Sequence, residues 1–83
     1  MPNQNRMTPR PISPQINGRI VRVFTNAWGD PDRQYSEVRD IVKREVFDFN
    51  TRYNETPSEE EDAFIDEVTL TACFNLWERH AEL

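Results

Sequence analysis

The chain has 83 residues, 36% of them hydrophobic and 30% charged, with a formal net charge of −5, which is material for one small domain with a modest core. No run of about 18 apolar residues offers a membrane span, and no apolar stretch near the start reads as a secretory leader. One cysteine and one histidine leave no internal disulfide and no structural zinc site, so a cytoplasmic chain without metal or cofactor is expected.

Charge is split along the chain. Residues 1–29 carry Arg6, Arg10, Arg19 and Arg22 and no acid, so all 15 acids fall in residues 30–83. Within the basic part, residues 1–17 read as a flexible arm. Pro2, Pro9, Pro11 and Pro14 lie among Asn, Gln, Thr and Ser; such a segment buries too little to repay its ordering entropy. Residues 18–83 form the expected domain.

Arg19-Ile20-Val21-Arg22-Val23-Phe24-Thr25 reads as a β-strand, rich in β-branched and aromatic residues between Asn17-Gly18 and Trp28-Gly29. Two helices with clear start signals are expected next. Asp30-Pro31 sets an acceptor at the N-cap and a proline at the first helical position, and the first helix runs over about 32–49. Thr56-Pro57-Ser58-Glu59 reads as a capping box with Thr56 as the cap, and the second helix runs over about 57–81. The short join makes an antiparallel helix hairpin the default. The fold class is thus α+β, mainly α. The strand would be completed by a second copy or by another protein's sheet edge, because a lone strand leaves its backbone groups unpaired.

The first helix has one apolar stripe, Tyr35, Val38, Val42, Val46 and Phe49, with Ile41 at its border. Phe47 falls alone on the opposite side. The second helix has two stripes. Phe64, Ile65, Val68, Ala72 and Leu76 share one side and are assigned to the first helix. Ala63, Leu70, Cys73, Phe74, Trp77 and Ala81 lie roughly opposite, with polar wedges between that include Asp66, Thr69 and His80. A helix apolar on two faces needs cover on two faces.

Candidate chemistry is thin. Cys73 sits on an apolar face and reads as a buried structural residue. His80 has no paired ligand or nucleophile at helical spacing, and two glycines in all make no phosphate-cradling loop. A non-enzymatic role follows. The expected function is that of a small acidic interaction module that binds and regulates or inhibits a larger protein, or that self-associates as a homodimer. Leu70, Phe74 and Trp77 are its candidate contact residues, being of a type and placement that suit an interface. The alternative is a dimeric regulator similar in element order to ribbon-helix-helix DNA-binding proteins, with Arg19 and Arg22 on the strand. The acidic balance weakens the phosphate attraction on which that alternative relies.

Overall fold

The computed structural model describes residues 10–48 and 56–81. Among these the chain is helical. Helix α1 spans Pro14–Asn26, α2 spans Pro31–Ile41 and runs on into a π-helical turn at Val42–Val46, and α3 spans Glu59–Ala81. The α+β expectation is therefore corrected. The stretch read as a strand, residues 19–25, lies inside α1, and no strand occurs among the described residues.

The reason lies in Ser13-Pro14, which repeats the start device seen at Asp30-Pro31. The Ser13 hydroxyl accepts the Ile16 N–H at 3.1 Å, and Pro14 occupies the first helical position. Once started, the helix satisfies its own backbone groups, as an unpaired strand cannot. The β-branched residues fall at helical spacing: Ile20 and Phe24 are buried, Ile16 and Val23 pack on them, and Arg19, Arg22 and Thr25 face solvent. The last four residues of the expected arm, Pro14–Asn17, thus form the first turn of α1. Just ahead of it, Arg10 donates its backbone N–H to the Val46 carbonyl at 3.1 Å, and its guanidinium reaches the Glu45 carbonyl at 2.5 Å. The rest of the arm, residues 1–9, lies outside the described residues.

Gly18 sits inside α1 with nothing within 4 Å of where a Cβ would stand. Gly18→Ala is expected to stabilise the fold by about 0.5–1 kcal/mol, since glycine costs that much in an exposed helix interior. A raised urea midpoint checks it; a lowered one would place residue 18 outside a helix.

Helix α2 begins as the sequence reading expects, with the Asp30 carboxylate accepting the Arg33 N–H at 3.1 Å. Gly29, at a φ of 100°, makes the preceding turn. Val38, Val42 and Val46 are buried on one stripe beside Ile41; Phe49 lies outside the described residues. Phe47 departs from expectation, being buried and packed edge-on against Phe64 with ring centres 5.6 Å apart. Its N–H bonds to the Val42 carbonyl five residues back, at 3.0 Å. A π-turn holds one residue more than an α-turn, and that extra residue swings Phe47 round onto the core. Asp48, at a φ of 67°, ends the element, a conformation that Asp tolerates better than most residues.

Helix α3 starts two residues later than the Thr56 box implies. The capping pair is Ser58 and Glu61: the Ser58 hydroxyl accepts the Glu61 N–H at 3.2 Å, and the Glu61 carboxylate accepts the Ser58 N–H at 2.9 Å. Its buried seam is Ile65, Thr69 and Cys73, with one residue per turn. This seam runs along a wedge expected to be polar. The two apolar stripes flank it. Thr69 is accommodated because its hydroxyl donates to the Ile65 carbonyl of its own helix at 2.7 Å.

Helix α2 is the middle element, packed against α1 on one side and α3 on the other. Arg19 reaches Glu45 while Phe24 meets Gln34, and Arg39 reaches Asp62 while Gln34 meets Trp77. Both pairs therefore run antiparallel, consistent with the expected hairpin of the second and third helices. No helix among the described residues is long and apolar enough to cross a membrane.

Candidate protein-interaction face

The polar side chains inside the bundle are engaged. Gln34 continues the α2 stripe one turn before Val38 and is 1% exposed. Its Nε2 donates to the Phe24 carbonyl at 3.0 Å, and its Oε1 accepts the Trp77 indole N–H at 2.9 Å. Trp28 N–H goes to the Thr25 carbonyl, so the Gln34 amide supplies a partner for a carbonyl at the end of α1. One buried amide ties all three helices. Sequence reasoning missed it, although a glutamine four residues before the valines Val38, Val42 and Val46 was the available signal.

A second polar group joins α2 to α3. The Asp66 carboxylate accepts the Tyr35 hydroxyl at 2.5 Å and Arg39 Nε at 2.6 Å, and Arg39 also pairs with Asp62. The bonds from Tyr35 and then Arg39 hold the Asp66 carboxyl below its ordinary range. Burial, followed by the Asp66 bond, pushes the Tyr35 phenol up to about 12. A depressed carboxylate contributes stability that is present above the unfolded value and is lost as pH falls through the folded one. A raised phenol does the reverse: its contribution is lost as pH rises above about 10, where the unfolded tyrosine ionises first. Urea midpoints are therefore expected to fall below pH 4 and above pH 10. Asp66→Asn should flatten part of the acid limb; an unchanged limb would remove Asp66 from the linkage.

Cys73 is fully buried, and burial pushes its thiol up to about 11, which keeps it protonated and unreactive. His80 lies over the Trp28 ring, with ring centres 3.8 Å apart. Among the described residues no three His, Cys, Asp or Glu side chains are grouped to hold a metal ion. Arg19 and Arg22 lie on a helix, not a ribbon. Arg19 pairs with Glu45 at 3.0 Å and Arg22 is exposed, so the paired-strand geometry of the DNA-binding alternative has no element to build it.

The three candidate contact residues separate. Trp77 turns inward, half-buried against Phe24 with ring centres 5.8 Å apart, and is held by Gln34. Leu70 and Phe74, one turn apart, remain 53% and 58% exposed. The first face of α3 also stays partly open, as a groove of about 720 Å3 between α1 and α3 that includes Ile12, Ile20, Val68 and Leu76. Glu67 and Arg79 both line it, so it carries one charge of each sign. Comparison with family models, curated proteins and solved structures finds no match to this chain.

Proposed function

We propose that this chain is a small non-catalytic interaction module of the cytoplasm, which binds a larger protein through the outer face of α3 and regulates it by occupying its surface. The observation that carries the reading is the exposure of Leu70 and Phe74 side by side on a helix whose inner seam is already packed. An aromatic and an aliphatic side chain on adjacent turns form the kind of anchor that helix-in-groove recognition uses. A single protonated buried thiol suits a reducing compartment.

The test is affinity capture from the native host with the full chain and with a Leu70→Ser/Phe74→Ser variant of unchanged melting temperature. Partners retained by the wild type and lost by the variant are expected. Identical partner sets would remove α3 from recognition.

A further inference from the structure

The acids around the α3 face say what kind of surface it fits. At about 100° per residue, Ala63, Leu70, Phe74 and Ala81 share one exposed strip. Glu60, Glu67 and Glu78, all exposed, line its flank away from α2. None of the three makes an ion pair among the described residues. On the opposite flank the nearby cation, Arg39, is already held by Asp62 and Asp66. The strip is therefore apolar at its centre, small at Ala63 and Ala81, where another backbone can come close, and uncompensated in negative charge along one side.

A second copy of the chain fits this strip in shape but not in charge. In the antiparallel two-fold register that sets Leu70 opposite Phe74 of a second copy, Ala63 falls opposite Ala81. The same register brings Glu67 beside Glu78 of that copy, twice over by symmetry, and like charges so placed oppose association. A parallel register sets the acidic row against the other flank, where Glu59 stands. Phosphate backbones meet the same repulsion.

We propose that the occupant of this face is a basic amphipathic helix of a partner protein. Its apolar residues at i, i+3 or i+4 would cover Leu70 and Phe74, and its Lys or Arg residues would lie along Glu60, Glu67 and Glu78. The inference rests on the interaction-module reading and adds the chemistry of the partner.

The probe is a labelled synthetic amphipathic helix of leucine and lysine, titrated into the full chain by fluorescence anisotropy. Its glutamate counterpart and a flexible lysine-glycine peptide of equal charge serve as controls. The leucine-lysine helix alone is expected to bind, more weakly as salt rises, and Phe74→Ser is expected to weaken it by about tenfold or more. Glu67→Lys/Glu78→Lys should transfer binding to the glutamate helix. Equal binding of the flexible lysine peptide, or binding unaffected by Phe74→Ser or by the charge reversal, would overturn the proposal. Sedimentation of the peptide-free chain separates the two levels of failure. A dimer that reverts to monomer in Phe74→Ser keeps α3 as an interaction face and overturns the basic helix as its occupant. No peptide binding together with a monomer insensitive to Phe74→Ser removes both.

Discussion

Replacing Gln34 with alanine is expected to destabilise the fold by about 3–5 kcal/mol, a large share of the roughly 5–15 kcal/mol that holds a small domain together. The side chain is almost fully buried, with one amide end on the Phe24 carbonyl and the other on the Trp77 indole. Its removal leaves the buried Phe24 carbonyl and the half-buried Trp77 indole N–H without these partners, at about 1–3 kcal/mol for a buried group, and opens a void among the three helices. The melting temperature should drop by more than about 10 °C. Gln34→Glu keeps the shape but loses the amide donor to Phe24, and burial of its charge should make it no better than alanine at neutral pH. A fall of only a degree or two for Gln34→Ala would mean that the amide is solvated and the helices are not tied at this point.

The second large effect is a contrast between neighbours on α3. Trp77→Ala is expected to cost about 3 kcal/mol of folding stability, because the indole packs on Phe24 and spends its N–H on Gln34. Phe74→Ala, three residues earlier and mostly exposed, should stay within about 0.5 kcal/mol, as surface substitutions do. Urea denaturation of the two variants side by side checks this. A near-neutral Trp77→Ala with a costly Phe74→Ala would mean that α3 is rotated about its axis relative to the bundle. The same contrast divides the face that sequence reasoning treated as one unit: Trp77 serves the fold, while Leu70 and Phe74 stay exposed.

The two ends of the bundle are held differently. Phe24 lies between Trp28 and Trp77, with ring centres 5.9 and 5.8 Å away, so one end of the bundle is bound by aromatic packing. Toward the other end, Phe47 on Phe64 and the ties from Arg10 to Glu45 and Val46 close the π-turn against its neighbours. Between these ends the outer side of α3 faces solvent, on a helix already fixed by Ile65, Thr69 and Cys73. The proposed contact would thus fall on a pre-ordered element, which loses less conformational entropy on binding.

The sequence by itself determined the features whose chemistry lies within one helical turn. Asp30-Pro31 and the acid-rich stretch after Thr56 mark helix starts, the second to within two residues. The stripe of Val38, Val42 and Val46 marks a buried face, and the short join marks an antiparallel pair. Cys73 was legible as buried because thiols on apolar helix faces seldom reach water. The same local logic was available at Ser13-Pro14. There it lost to the β-branched run that follows, since strand preference measures fit to a half-buried surface and α1 offers that surface in helical form. What only the tertiary structure decided was how particular side chains outside the expected stripes reach the core. One extra residue in the turn after Ile41 carries Phe47 from the expected outer side to the core. A threonine that bonds to its own backbone lets the centre of α3 pack through a wedge that reads as polar. A glutamine partnered on two other helices becomes a core residue. In each case the side chain's cost of burial depends on a partner or on a helix rotation. For Gln34 the partners lie on two other helices; for Thr69 and Phe47 the bond is local, but the side that it turns inward is set only when the helices are placed together.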